Sequence, residues 1–483
     1  MRDGVKNKVL SGFSWTFAER LISQGVSFVV SIVLARIVSP DEYGIVALLL
    51  VFINIANVFV TNGFGEALVQ KKDADELDFS TIFYCGLGVS IGLYILLFFA
   101  APFIASFYDN DKLTLILRIF SLRIPLSAIN TVQHAYVSKH MIFKKFFFST
   151  LGGTFISGVI GIFIAMKGGG AWALVAQYMT LSIVDTIVLF LIVDWKPKAF
   201  FSKERAKRLM SFGWKIMLSN LINNIYSNLR SLIIGKVYTT ADLSYYNKGD
   251  QFPNLIITNI NTAIGNVIFP AMSEVQSDID RLKQLTRRSM KTTSYIIFPC
   301  MVGLIVIAKP LILLLLTDKW LDCVPYLQIC CVFWVFQPMQ TANWQAIKAI
   351  GRSDLCVKLE VIKKIIGITM LLCTLNISVA AMAWSNAIFG GISMLINMMP
   401  NIRLLKYPIR EQFKDLLPSL GLSVVMGMFA YSIRLFGFSA VLEIVLQIVV
   451  SIIVYLGLSH FFKVESYTYL KNTLKGILEK KNK

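Results

Sequence analysis

Lys8-Val9-Leu10-Ser11-Gly12-Phe13-Ser14-Trp15 opens an apolar run that closes on Arg36-Ile37-Val38-Ser39-Pro40-Asp41-Glu42-Tyr43. Further along, Arg208-Leu209-Met210-Ser211-Phe212-Gly213-Trp214 opens another, which closes on Lys236-Val237-Tyr238-Thr239-Thr240-Ala241-Asp242. Lys8, Ser11, Arg36 and Ser39 map onto Arg208, Ser211, Lys236 and Thr239 at one fixed offset, with the tryptophan one residue out of step. A repeat this long marks two structural halves rather than a solenoid unit. In a membrane protein, paired halves point to a transporter with its site at the repeat interface.

The membrane assignment comes from composition. The 483 residues are 56% hydrophobic and 16% charged, with mean hydropathy +0.66, whereas soluble domains carry about 25% charged residues. Apolar runs of roughly 20 residues suffice to cross ~30 Å of hydrocarbon as helices. About fourteen such runs are expected, near 13–37, 44–62, 80–104, 113–136, 147–166, 171–193, 212–236, 252–272, 291–316, 322–347, 359–377, 379–399, 415–435 and 440–462. The runs do not alternate with period two, which excludes a membrane β-barrel. Residues 1–14 are basic but lack a small-residue cleavage site before a short apolar core, so no cleavable signal is read there.

The net charge of +19 would suggest nucleic acid on a soluble chain. Here it sorts by side. With fourteen spans and a cytoplasmic N-terminus, 32 of the 47 Lys and Arg fall in cytoplasmic loops and 7 in external ones. That bias is the positive-inside pattern, so the charge encodes topology, with some contact to anionic membrane lipid, and no nucleic-acid partner is implied. The seven cysteines lie mostly in spans and read as small buried apolar residues. His134, His140 and His460 are scattered, and no metal-ligand spacing is present. No GxxxxGK[ST] occurs, so neither a nucleotide nor any other cofactor is expected.

Six spans per half give both halves the same entry side, so the repeat is parallel. The expected organisation is an N-terminal six-helix lobe (1–193), a cytoplasmic interlobe linker (194–211) and a C-terminal six-helix lobe (212–399). Accessory helices 13 and 14 (400–462) and a basic cytoplasmic tail (463–483) follow. The fold class is an all-α polytopic membrane protein with two pseudo-symmetric lobes plus two C-terminal helices.

Charges at membrane depth cost ~2.5–3.5 kcal/mol each on insertion scales and normally face the interior or water. Eight basic residues lie within the expected spans, against four acids, Glu19, Asp185, Glu360 and Glu443. Lys309 near a span end can snorkel, and Glu360 with Lys364 reads as an intrahelical pair. Arg20, Arg123 and Arg230 are deeper, and with Lys215 they are the candidate diphosphate-binding residues, since guanidinium forks match phosphate oxygens. Polar residues recur at three or four on the same spans: Arg20, Ser23, Gln24, Ser27 and Ser31 in span 1, Asn54, Asn57 and Thr61 in span 2, Asn220, Asn223, Asn224, Ser227 and Arg230 in span 7, Asn254, Thr258, Asn261 and Gly265 in span 8, and Gln337, Gln340, Thr341 and Asn343 in span 10. Such spacing puts each set on one helix face, and amides suit sugar hydroxyls. The same amides could instead join helices at about 0.6 kcal/mol each. A mixed arginine and amide lining suggests a phosphate-bearing glycan. Glu19 and Asp185 are the carboxylates available to carry a coupling proton or sodium ion.

Leu34-Ala35-Arg36-Ile37-Val38-Ser39-Pro40-Asp41-Glu42-Tyr43-Gly44, followed by Gly63-Phe64-Gly65-Glu66-Ala67-Leu68-Val69-Gln70-Lys71-Lys72-Asp73, resembles the opening of bacterial polysaccharide transporters. These are the O-antigen, colanic-acid and teichuronic-acid type flippases of the MOP (MATE-like) exporter superfamily. In the second half Gly235-Lys236, Tyr245-Tyr246-Asn247, Phe269-Pro270-Ala271 and Gln276-Ser277-Asp278 agree. The resemblance implies a V-shaped pair of lobes that alternates its opening in the cytoplasmic membrane. It implies a lipid-linked oligosaccharide on undecaprenyl diphosphate as cargo, polysaccharide polymerase or assembly proteins as partners, and cavity arginines, for which Arg20, Arg123 and Arg230 are candidates by position. No paired carboxylates or Ser/His/Asp set appears, and the external loops are short, so an enzyme is not expected. A cation-coupled small-molecule exporter and a non-transporting scaffold of a glycan-assembly complex remain the alternatives.

Overall fold

The computed structural model describes residues 20, 22–62, 64–71, 73–142 and 144–481. Among these there is no strand. The chain divides into two compact units, Met1–Ser244 and Tyr245–Lys483. The first contains α1 (Ile22–Ile37), α2 (Pro40–Thr61), α3 (Phe64–Gln70), α4 (Glu76–Phe107), α5 (Lys112–Phe120), α6 (Arg123–His140), α7 (Lys144–Met166), α8 (Ala171–Ile192) and α9 (Lys203–Val237). Helix α10 (Thr240–Glu274) begins in the first unit and runs into the second. There α11 (Ile279–Leu315), α12 (Cys323–Val335), α13 (Gln337–Ala349), α14 (Ser353–Thr374), α15 (Val379–Leu404), α16 (Ile409–Ser432), α17 (Ala440–Phe461) and α18 (Glu465–Lys481) follow.

The protein is an all-α polytopic membrane protein. Among the described residues, nine helical stretches are long and apolar enough to cross a bilayer: α2, α4, α5 with α6, α7, α8, α11, α15, α16 with its 3₁₀ extension, and α17. The remaining expected spans fall on α1, α9, α10, α12 with α13, and α14. Three of these, α9, α10 and α13, carry the asparagines and glutamines read as polar faces, which lowers their hydropathy. Lys248, expected in an external loop, lies inside α10 and is buried, its Nζ donating to Gln251 Oε1 at 3.1 Å. Lys363, rather than Lys364, makes the ion pair seen with Glu360, at 2.6 Å. The residues expected as a basic tail form α18.

The repeated motif builds two equivalent corners. Ser39 caps α2, its hydroxyl accepting from Glu42 N at 3.4 Å, and Pro40 supplies the fixed φ of a first helical residue. Thr239 does the same for α10: its hydroxyl accepts from Asp242 N at 3.1 Å, and Asp242 accepts from Thr239 N at 3.2 Å, a capping box. The corners meet, since Thr240 Oγ1 lies 3.2 Å from Asp41 Oδ1. Gly44 is required by that approach, because a Cβ there would sit 1.7 Å from the Thr240 carbonyl oxygen.

Segment 194–202 is stitched to the start of α4. Lys198 N and Ser202 N each donate, at 3.2 Å, to Ser80 Oγ and Thr81 Oγ1. Arg205 pairs with Asp75 and Asp78, Lys198 with Glu76, and Lys145 with Asp194 at 2.8 Å. Trp195 inserts beside Phe79 and Phe83 in a core with Leu68, Val132 and Leu189. The Arg205 guanidinium holds the Asp75 carboxyl down to about 2, so its stabilising contribution is present above ~3.9 and lost only as pH falls through about 2.

Two features set the geometry of the first unit's interior. Ser149, Gly153, Ser157, Gly161 and Ala165 recur at every fourth position of α7 and are all buried. Small residues at this spacing let membrane helices approach closely; a Cβ on Gly161 would lie 2.9 Å from Gln177 Cβ of α8. The fourth span of each half is also broken, at Ser121–Leu122 and at Phe336. In both cases a proline follows, Pro125 or Pro338, that cannot donate to the carbonyl four residues back. The breaks expose a second repeat, Pro125-Leu-Ser-Ala-Ile-Asn130 against Pro338-Met-Gln-Thr-Ala-Asn343.

Two outcomes follow. Gly44→Val forces the corners apart, and a fluorescence thermal-unfolding measurement on purified protein should show a loss of about 1–3 kcal/mol, the usual cost of overpacking. Asp75→Asn with Glu76→Gln should raise trypsin cleavage at Lys198 severalfold, and wild-type protection should be the same at pH 6 and pH 8.

Candidate functional site

Helix α6 carries Arg123, Ser127, Asn130, Thr131, His134 and Ser138 at spacings of three and four, one polar stripe on a helix. This stripe lines a cavity of about 730 Å³ inside the first unit. Ser182 and Asp185 of α8 and Thr150 of α7 face it from the other side. Thr61 of α2 and Gly65, Val69 and Gln70 of α3 complete the wall. The motif segment after Gly63 therefore forms part of the cavity: α3 anchors through buried Ala67 and Leu68, Lys71 pairs with Asp78, and Lys139 Nζ donates to the Lys71 carbonyl at 2.6 Å.

The cavity has two chemically distinct ends. At the α6 break, Arg123 Nε donates to Ser182 Oγ at 3.1 Å. Its guanidinium carbon lies 5.3 and 5.2 Å from the ring centroids of Phe120 and Tyr178. No carboxylate among the described residues is within ion-pair distance of Arg123. At the other end, Asp185 accepts from Asn130 Nδ2 at 3.0 Å and from Ser149 Oγ. His134 Nε2 lies 3.6 Å from Asp185 Oδ2, and its ring stacks on Phe146 at 4.6 Å. Asn130 is seven residues from Arg123, so the ends lie about 10 Å apart along α6. The arginine end offers guanidinium donors to an anion. The other end sets a carboxylate against an imidazole.

Of the residues singled out from sequence, the structure brings Arg123 and Asp185 together in this cavity. Asn57 sits one turn before Thr61 and is half-buried, with Oδ1 lacking a hydrogen-bond partner. On α9, Lys215 and Asn223 are exposed and Asn224 and Arg230 half-buried. Arg20 is exposed and Gln24 half-buried at the start of the described chain; Glu19 lies outside the described residues. In the second unit Asn261 is half-buried on α10 with Oδ1 unpartnered, and Gln340 Nε2 donates to the Gly390 carbonyl at 3.3 Å. Asn343 is fully buried in a bonded network. It donates to Gln412 Oε1 at 3.0 Å and accepts from Asn401 Nδ2 at 2.7 Å. In this conformation it joins α13, α15 and α16 rather than lining a cavity. Arg118 is likewise occupied, with Nε on the Phe98 carbonyl at 3.2 Å.

Sequence reading passed over Asn130, His134, Ser149 and Ser182. For Asn130 and His134 the stripe starting at Arg123 carried the signal, since Arg123, Ser127, Asn130, His134 and Ser138 recur at three or four; Ser149 and Ser182 lie on other helices and had no such signal. In the second unit it passed over Asp250, which accepts from Trp334 Nε1 at 2.8 Å and Asn254 Nδ2 at 3.2 Å.

The helical fold is shared with solved membrane transporters. A lipid II flippase MurJ in an inward closed conformation superposes with TM-score 0.75 at 18% identity, covering 94% of this chain and 98% of that one. An inward-facing multidrug resistance MATE transporter gives 0.62 at 16% identity, covering 79% and 96%. The chain belongs to the family described as "Polysaccharide biosynthesis protein", whose profile matches residues 33–325. The teichuronic acid biosynthesis protein TuaB of Bacillus subtilis (strain 168) is 23% identical over 97% of this chain and 98% of its own length. The lipopolysaccharide biosynthesis protein WzxC of Escherichia coli (strain K12) is 24% identical over 74% and 73%. The succinoglycan biosynthesis transport protein ExoT of Rhizobium meliloti (strain 1021) is 26% identical over 65% and 63%.

The burial difference makes a prediction. Asn343→Ala leaves Gln412 and Asn401 short of a partner and should cost about 1–3 kcal/mol in a thermal-unfolding assay. Asn223→Ala, on an exposed face, should change stability by less than ~0.5 kcal/mol.

Proposed function

We propose that this protein is a flippase that carries a polyprenyl-diphosphate-linked oligosaccharide across the cytoplasmic membrane for surface polysaccharide assembly. The observation that carries the reading is Arg123: a guanidinium on a lipid-embedded helix, facing a cavity of about 730 Å³, with no carboxylate partner among the described residues. Such a charge is costly in hydrocarbon unless it serves a pathway or a ligand, and a diphosphate is the anion its fork fits. Family membership supports the cargo class, as does likeness to a lipid II flippase.

In this reading the chain crosses fourteen times with both termini cytoplasmic. Two six-helix lobes, 1–193 and 212–399, are joined by the 194–211 linker, and the helices at 400–462 stand outside them. The diphosphate head enters the aqueous interior while the polyprenyl tail stays in lipid. Arg123 binds the phosphates, and Arg20, Lys215 and Arg230 are further cationic contacts along the route. Gln24, Asn57, Asn223, Asn224, Asn261 and Gln340 meet the sugars. The lobes then change which side they open to. An inside-negative potential of 100 mV favours outward movement of each negative charge by about 2.3 kcal/mol.

Proton coupling fits the Asp185 end better than sodium coupling. The carboxylate is already bonded by N–H and O–H donors and faces an imidazole nitrogen at 3.6 Å. Sodium needs a cage of oxygen ligands, whereas an imidazole beside a carboxylate suits proton exchange. The polysaccharide polymerase or other assembly proteins are the expected partners downstream.

The test is reconstitution into liposomes with a fluorescent polyprenyl-diphosphate oligosaccharide, reading leaflet exposure with an impermeant probe. Arg123→Ala should slow translocation about tenfold or more, the loss expected for charged hydrogen bonds. Arg123→Lys should retain part of the rate as a point charge. Asp185→Asn should keep potential-driven movement and lose any acceleration by an imposed pH gradient. Wild-type translocation by Arg123→Ala at equal reconstitution would remove the assignment.

A further inference from the structure

A separate pair of cavities lies in the second unit, where α11 begins and α17 gives way to α18. One encloses about 790 Å³ and carries Arg287, Arg288, Lys291 and Lys463 against Glu465. The other, about 620 Å³, is a mainly apolar groove formed by Leu417, Pro418, Leu422 and Phe462. The two share Lys291, Glu465 and Ser466, so they adjoin.

The cations divide into two groups. Arg287 and Lys291 neutralise buried Asp415 at 2.6 and 3.3 Å, and Lys291 also pairs with Glu465. Arg288 and Lys463 have no carboxylate partner among the described residues. Arg288 is exposed and lies over the Tyr469 ring at 3.6 Å, a contact that leaves its donors free. Lys463 is exposed and adopts the left-handed conformation (φ +49°) that turns α17 into α18. Arg287 also lies 3.5 Å from Glu411 Oε1, so it is committed to the carboxylates of α16. This cavity therefore holds donors in excess of the anions supplied by the chain.

The surroundings place these donors at a membrane surface. Phe461 and Phe462, at the end of apolar α17, are 78% and 63% exposed, and Leu417 beside the groove is 67% exposed. Helix α18 turns Tyr467 and Leu470 toward Tyr295 and Tyr455 and keeps Lys471 exposed. A basic amphipathic helix directly after an apolar span lies along the headgroup layer. Cations there attract anionic lipid at about 1 kcal/mol each.

We infer that the two cavities form one bipartite site for an anionic phospholipid: its phosphate headgroup bonds Arg288 and Lys463, and an acyl chain lies in the groove along α16. A soluble phosphate compound would not use the groove, which is what selects a lipid. The site pins α18 to the bilayer surface and is independent of the Arg123 cavity.

Native mass spectrometry of the full-length protein in detergent, titrated with phosphatidylglycerol or phosphatidylcholine, tests this. The first phosphatidylglycerol should bind several times more tightly than phosphatidylcholine. Arg288→Gln with Lys463→Gln should weaken it about thirtyfold with unfolding temperature unchanged. Gly421→Leu fills the groove at a position where a side chain meets open space, and should weaken phosphatidylglycerol as well. Unchanged phosphatidylglycerol binding in Arg288→Gln/Lys463→Gln would overturn the site. So would displacement of the lipid by millimolar glycerol phosphate, which would make it a phosphate pocket. Neither result bears on flippase activity.

Discussion

Hydrocarbon supplies no water to satisfy a polar group, so every backbone N–H and every charged side chain at membrane depth must find its partner inside the protein. That constraint shapes this chain at each level. It makes the spans helical. It leaves two options for Arg123: a buried counter-ion or a cavity. Asp185 would have been the counter-ion. Instead Asn130, Ser149 and His134 surround it, and Arg123 rests on Ser182, Phe120 and Tyr178. The guanidinium and the carboxyl are held apart within one cavity.

The small-residue ladder on α7 makes that arrangement geometrically feasible. Ser149 is its first rung, and the ladder's close approach to α8 brings the Ser149 hydroxyl onto Asp185. The break at Ser121–Leu122 starts a fresh helix at Arg123, so that its polar stripe faces α8. The second unit has the same break and the same asparagine, but a different outcome. Asn343 bonds Gln412 and Asn401 in a buried amide network, whereas Asn130 bonds a carboxylate in a cavity. Equivalent asparagines thus sit in different surroundings in the two units.

The fold was legible because its signals are long. Twenty-residue apolar runs, the two corners at Ser39 and Thr239, and the one-sided distribution of lysine and arginine each survive misplacing a boundary by a few residues. Arg123 and Asp185 were legible as isolated charges in apolar surroundings. The rest of the site was not, because Ser127, Asn130, His134 and Ser149 are unremarkable singly and acquire meaning only when α6, α7 and α8 pack. Asn343 illustrates the reverse: on a helical wheel it is indistinguishable from a cavity amide, and only the position of Gln412, far away in sequence, makes it structural. The break before Pro338 was written in the sequence, but a continuous apolar run hides it. Helix α18 was hidden by its lysines, although Tyr467, Leu470 and Leu474 already recur at helical spacing.

The central claim is that Arg123 holds the diphosphate of a lipid-linked glycan. Equilibrium binding tests it most directly: detergent-purified protein titrated with a short polyprenyl diphosphate-sugar and, in parallel, with the matching polyprenyl alcohol. The account predicts that the diphosphate-sugar binds much more tightly to the wild type, and that Arg123→Gln brings the two ligands to similar affinity. An unchanged preference for the diphosphate in Arg123→Gln would contradict it and move the phosphate contact elsewhere in the protein.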